Sequence, residues 1–197
     1  MMKNVLKCSV VLGLLISLAS RSYAAPQEET AVFAGGCFWC MEAVLQEVPG
    51  VTKAVPGYTG GSGDNPTHAD YAAKGHVEAV RVTYDPAVVS YDKLLDLFWR
   101  QINPTDAGGQ FVDRGQQYRT VIFYGNEEQK ALAEKSKEAL GHPGKYDQPI
   151  VTEILPAGTF YRAEEENQDY YKRNPIRYKY HRFRSFRDQY LDKLWGR

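Results

Sequence analysis

The stretch TAVFAGGCFWCMEAVLQEV, residues 30–48, decides how this chain is read. Thr30–Ala34 is a short apolar run of the kind that forms a strand, and Gly35-Gly36 then turns the chain sharply. A helix is predicted over 38–47, with Met41, Val44, Leu45 and, just beyond, Val48 on its apolar face. Cys37 therefore stands where a strand gives way to a helix. Backbone N–H groups at that point lack partners and carry partial positive charge, which favours an anion. A thiol so placed is expected to ionise readily, and the thiolate is the reactive form. Burial of two structural cysteines is the plainer reading, but two glycines at a helix start are a costly way to bury sulfur.

Upstream, Lys3 and Lys7 precede an apolar run from about Cys8 to Ala19, followed by Ser22-Tyr23-Ala24. A charged segment, a short apolar segment and a small-x-small site make a secretory signal, with cleavage expected after Ala24. The run is too short to span a bilayer. Export to a periplasmic or other extracytoplasmic compartment follows as an expectation, and Cys8 departs with the signal. Cys37 and Cys40 are then the remaining thiols. The expected division is a signal over 1–24 and a single catalytic domain over 25–197. Beyond the signal the chain carries 21 basic and 24 acidic residues, so no basic excess suggests nucleic acid or a membrane surface. Two cysteines three apart cannot staple distant loops, which excludes a disulfide framework and points to redox chemistry.

Downstream, Pro49-Gly50 breaks the first helix and Val51–Val55 reads as a strand. Tyr58 to Gly75 is a long Gly-, Asn- and Asp-rich loop, a length usual for binding loops, with Tyr58, His68 and Tyr71 to bind with. His76–Tyr84 alternates as a strand. Ser90 can cap a helix whose inner face is Leu94, Leu95, Phe98 and Ile102. A second polar loop, 103–117, holds Asp106, Asp113 and Arg114, and Tyr118–Tyr124 reads as a strand. Asn126 with Gln129 makes a capping box for a helix to Leu140, closed by Gly141. A strand over 150–155, a polar helix over 163–173 and a basic, aromatic tail over 177–186 follow, then a helix to Trp195, the tail charges (Arg177, Lys179, Arg182, Arg184, Arg187) reading as a solvated face. Interleaved strands and helices give an α+β, mixed α/β two-layer sandwich.

Six strings occur in order: Gly36–Cys40 (GCFWC), Pro49–Val51 (PGV), Gly57–Gly61 (GYTGG), Asn65–Thr67 (NPT), Gly75–Val80 (GHVEAV) and Asp113–Arg119 (DRGQQYR). Together they resemble the peptide methionine sulfoxide reductases of the A type (MsrA), a class that reverses methionine oxidation. The resemblance implies a ferredoxin-like core and reduction of the S epimer of methionine sulfoxide, free or in proteins, by a cysteine nucleophile. It implies no metal and no bound cofactor, only an external thiol reductant of the thioredoxin type. A monomer is expected. Cys37 matches the nucleophile and Glu78 the acid that protonates the departing oxygen, a task that needs a pKa raised by burial. Phe38 and Trp39 match the apolar wall around the substrate methyl. Tyr118 matches a tyrosine that hydrogen-bonds the sulfoxide oxygen, and Asp113 an aspartate that organises the site.

The sequence departs from the family pattern twice. His68 stands where a second tyrosine usually follows Asn-Pro-Thr, so either His68 or Tyr71 is the missing donor. The tail also lacks the resolving cysteines that many members carry. Cys40 is then the internal candidate to resolve oxidised Cys37. Residues three apart on a helix have Cβ atoms about 5–6 Å apart, whereas a disulfide needs about 3.5–4.5 Å, so the first turn must distort. Direct reduction by an outside thiol, with Cys40 a packing residue, stays open. Competing readings are a thioredoxin-like thiol–disulfide oxidoreductase, which has no need of Glu78, Asp113 or Tyr118, and a non-catalytic extracytoplasmic peptide-binding module. A zinc site is disfavoured because no histidine falls at a recognised spacing from the cysteine pair.

Overall fold

The computed structural model describes residues 27–141 and 146–196, so the expected signal over 1–24 lies outside the described residues. Alternation along β1 (Glu29–Gly35) sends Ala31 and Phe33 to one face and Val32 and Ala34 to the other. Both faces are apolar, which marks a strand buried on both sides. The chain then forms α1 (Phe38–Leu45), β2 (Val51–Thr59), β3 (Val77–Tyr84), α2 (Tyr91–Trp99) and, after the short pair β4 (Gly109–Gln110) and β5 (Asp113–Arg114), β6 (Thr120–Tyr124). Taken as β1-α1-β2-β3-α2-β6, these elements give the strand order β6-β1-β3-β2 with every neighbour antiparallel. That is the ferredoxin-like, split βαβ arrangement. The sheet gains β7 (Glu153–Pro156), parallel to β6, and β8 (Tyr161–Arg162), antiparallel to β2.

Helices cover one face, where Phe33, Val80 and Val82 meet Phe38, Met41 and Leu45 of α1 and Leu94, Leu95 and Phe98 of α2. On the other, Val32, Ala34, Val77, Ala79, Val121 and Phe123 pack with Leu155 and Phe160. Ser90 caps α2 as expected, its hydroxyl accepting from the Lys93 N–H at 3.2 Å. Asn126 caps α3 (Glu127–Leu140) by accepting from the Gln129 N–H at 2.9 Å. The Gln129 amide does not close the capping box; it accepts from the Gly125 N–H and donates to the Thr30 carbonyl, tying α3 to β1.

Several boundaries differ from the sequence reading. Strand β2 runs through Pro56 and Gly57, held by pairing to Val80 and Ala79 of β3. Tyr118 lies in a 3-10 turn, Gln116–Tyr118, that Gly115 opens at φ 117°, and the strand begins at Thr120. The strand expected over 150–155 is β7, displaced towards Pro156. The polar helix expected over 163–173 divides into a 3-10 turn, Glu165–Asn167, and α4 (Tyr170–Arg173), with Asp169 at φ 50° between them. The tail forms α5 (Pro175–Arg184) and α6 (Arg187–Trp195).

That tail is not the solvated face its charges suggested. Arg177, Lys179 and Arg184 are exposed, but Arg182 is largely covered and Arg187 is fully buried. The Arg187 guanidinium donates to the carbonyls of Gln101 (2.7 Å) and Gly35 (3.3 Å) and lies over the Phe111 ring. A cation with planar, forked donors can be buried this way because carbonyls take its Nη donors, although its Nε–H has no hydrogen-bond partner.

Candidate active site

The turn that carries Cys37 depends on its glycines. Gly36 has φ 80°, and a Cβ there would sit 2.5 Å from the Gln110 Cβ. Cys37 is the N-cap of α1, and its carbonyl accepts from the Cys40 and Met41 N–H groups. Its side chain caps nothing. The cap is Glu78, whose Oε2 accepts from the Phe38 N–H at 2.9 Å while its Oε1 accepts from the Tyr71 hydroxyl at 3.1 Å. Strand β3 thus delivers a carboxyl from the helix-covered face, level with Tyr58 of β2, to the positive end of α1. Glu78 is 3% exposed, and burial raises its pKa to about 8 despite those two hydrogen bonds.

The two thiols are buried side by side. Cys37 is pushed well up, first by its hydrogen bond to Cys40, then by burial and by the charges of Cys40, Glu78 and Asp113. Cys40 is pushed well down by the same hydrogen bond and, against burial, by Arg187, His181 and Arg182. Glu78, and not the Cys37 sulfur, takes the helix N-terminus, with Glu78 and Asp113 beside Cys37 and Arg187, His181 and Arg182 beside Cys40.

A cleft of about 200 Å³ opens over this pair, lined by Cys37, Phe38, Trp39, His68, Glu78, Asp113, Tyr118 and His181. A larger cavity of about 630 Å³, lined by Asn103, Thr105, Tyr146 and Tyr190 among others, holds neither cysteine nor Glu78, so chemistry and not volume selects the small cleft. Phe38 is buried in the core with one part lining the cleft, whereas Trp39 is half-buried, one face stacked at 3.8 Å on Tyr170 and its Nε1–H donating to Asn167. Asp113 is half-buried, and burial raises its carboxyl. Tyr118 flanks Asp113 across Gly115 and is held above its usual range by burial and the Glu78 charge.

The two candidates for the second donor separate in space. His68 is exposed at the mouth, bound through its backbone N–H to Glu164 at 2.7 Å. Tyr71 is buried behind Glu78, stacked on Tyr58, with its hydroxyl on the acid. Every residue named from the sequence for the site is thus at the cleft or one layer behind it.

Sequence reasoning missed His181, Arg182, Arg187 and Tyr170. The signal was present: Tyr178, His181, Arg182 and Ser185 recur at helical spacing, and these are the covered positions of α5.

A family model described as peptide methionine sulfoxide reductase matches residues 29–197. The chain belongs to the peptide methionine sulfoxide reductase family. MsrA of Bacillus licheniformis is 53% identical over 175 residues, covering 88% of this chain and 97% of the relative. Among solved structures, methionine sulfoxide reductase A of Corynebacterium diphtheriae is 33% identical with a TM-score of 0.68, covering 77% of each chain. Reduced Mxr1 of Saccharomyces cerevisiae is 29% identical with a TM-score of 0.71, covering 78% of this chain and 90% of Mxr1. The chain is an MsrA-type enzyme, and the competing oxidoreductase and binding-module readings fall away.

Proposed function

We propose that this reductase acts on the S epimer of methionine sulfoxide, free or in proteins, with Cys37 as nucleophile, Glu78 as proton donor and Cys40 as resolving thiol. The observation that carries it is the buried Glu78 carboxyl, its pKa raised by burial to about 8, held on the Phe38 N–H at the start of the helix where both thiols sit. Cys37 passes its proton to the Cys40 thiolate and its sulfur attacks the sulfoxide sulfur. Glu78 protonates the oxygen, which transfers to Cys37 as the S–O bond to substrate breaks. Methionine leaves and Cys37 is a sulfenic acid. Cys40, now a thiol, attacks the Cys37 sulfur and its proton goes to the departing oxygen, so the S–O bond breaks, water leaves and a disulfide forms. Glu78 regains from solvent the proton it gave, and the Cys40 thiolate is restored only when the disulfide is reduced. The net reaction converts one sulfoxide and two thiols into methionine, a disulfide and water.

Phe38 and Trp39 hold the substrate methyl, and Tyr118 and Asp113 orient the oxygen. Tyr71 acts through Glu78, and His68 borders the cleft mouth where a peptide enters. A fixed apolar wall and a fixed acid admit one sulfoxide configuration, which is the basis for epimer choice. An external dithiol of the thioredoxin type returns the disulfide to two thiols.

The test is an epimer-resolved assay of wild type, Cys37→Ser and Glu78→Gln. Wild type should consume the S epimer, Cys37→Ser neither, and Glu78→Gln the S epimer slowly. Consumption of both epimers alike, or activity in Cys37→Ser, sinks the reading.

The proposal includes export as a monomer, supported by the Lys3, Lys7, 8–19 and Ser22-Tyr23-Ala24 pattern. No helix among the described residues is long and apolar enough to cross a membrane. N-terminal sequencing of protein recovered from its native cell should read from Ala25; a retained Met1 overturns the export arm.

A further inference from the structure

The sequence offers one Cys-x-x-Cys pair and no further ligand at a zinc spacing. Folding supplies one. Helix α5 brings His181 against the N-terminus of α1 so that ligand atoms of Cys37, Cys40 and His181 all lie within 4.8 Å of one another. A fourth group, the Asp113 carboxyl, stands on the far side of the imidazole from that set, its Oδ2 3.7 Å from the His181 Nε2. Both of those atoms are buried, and they meet as an ion pair at a distance longer than a hydrogen bond. Tetrahedral zinc with bonds of about 2.0–2.3 Å to nitrogen and sulfur spaces its ligand atoms about 3.3–3.8 Å apart. The ligand atoms of Cys37, Cys40 and His181, all within 4.8 Å of one another, lie close to that spacing.

We propose that the reduced enzyme binds one zinc ion through Cys37, Cys40 and His181, with Asp113 behind the imidazole, and that zinc holds it inactive until removed. Two thiolates and an imidazole are a donor set suited to zinc. Binding releases the thiol protons and breaks no other bond. Arg182 and Arg187 face the same sulfurs, and their charge opposes any cation held by electrostatics alone. The site therefore selects an ion that bonds covalently to thiolate over magnesium or calcium, which prefer oxygen. Because both sulfurs are ligands, the Cys37–Cys40 disulfide abolishes the site, so zinc reads the redox state of the pair. Only the inhibitory arm rests on the proposed nucleophile.

The experiment titrates the reduced full chain, without oxygen, with cobalt(II) as a coloured substitute for zinc. One equivalent should give a thiolate-to-cobalt charge-transfer band that zinc displaces and magnesium does not. His181→Gln should weaken cobalt binding by about tenfold or more, and the disulfide-oxidised wild type should give no band. One equivalent of zinc should suppress sulfoxide reduction, with recovery on adding a chelator. No band, or a band unchanged in His181→Gln, overturns the site and leaves the reductase reading intact. Zinc bound with sulfoxide reduction undiminished overturns the brake and the assignment of Cys37 as nucleophile.

Discussion

Glu78 accepts from the Phe38 N–H and the Tyr71 hydroxyl, yet burial still holds its pKa at about 8. As a proton donor it is competent below that value and fails as pH rises through it. The thiols titrate in the same site, so the informative quantity is the wild-type single-turnover rate divided by that of Glu78→Gln. That ratio should be about 10²–10⁴ near neutral pH, the usual worth of a positioned acid, and should shrink above about pH 8. A ratio that stays flat from pH 6 to 9 removes Glu78 as the donor. Cys40 differs in kind from Glu78, because only its sulfur can close the disulfide in the second half of the reaction. Cys40→Ser should therefore release one methionine per chain and stop, with no internal disulfide in non-reducing mass spectrometry. Sustained turnover of that variant with a thioredoxin-type dithiol removes its resolving role.

Among the elements, the β1–α1 turn is the one the site cannot lose. Gly36 needs φ 80° and leaves no room for a Cβ beside Gln110, so Gly36→Ala should cost about 1–3 kcal/mol of stability, read from urea midpoints. Gly158, whose Cβ would meet nothing within 4 Å, provides the control and should change little on substitution by Ala. An equal effect at both positions contradicts the steric argument. This turn was legible because its cause is local: two glycines, a strand pattern before them and a helix pattern after. The Ser90 and Asn126 caps were legible for the same reason. The helical end of the chain to Trp195, α6, was legible as well, but α5 was not, since a run of arginines reads as solvated unless the Tyr178–Ser185 spacing is weighed with it. What buries Arg187 is Gly35 and Gln101, carbonyls 152 and 86 residues away. Alternation placed Glu78 on a face with Val80, but only the docking of α1 shows that face to be covered.

Among the described residues, two fully buried acidic side chains have raised pKa values, Glu78 at about 8 and Glu42 at about 7, each chiefly through burial, while half-buried Asp113 is raised as well. Glu42 faces away from the cleft chemistry: its Oε1 accepts from the Asp169 N–H at 2.8 Å, fixing the entry to α4, while its Oε2 has no partner. In the unfolded chain both carboxyls return to about 4.3. A group whose folded pKa is raised stabilises the fold fully below its unfolded value and loses that contribution as pH rises through the folded value. Between about pH 4.3 and 8 the unfolded chain releases these two protons before the folded one does, so their contribution declines across that window. Urea midpoints of wild type, Glu42→Gln, Glu78→Gln and the double variant, measured from pH 5 to 8.5, isolate it. Each single variant should have a less negative slope of stability against pH than wild type. Glu42→Gln should rejoin the wild-type slope above about 7 and Glu78→Gln above about 8, and the double variant should be flattest, since the two carboxyls belong to different contacts and their effects add. A double variant as steep as wild type would show that both carboxyls are ionised in the folded chain at neutral pH, and Glu78 would then have no proton to give.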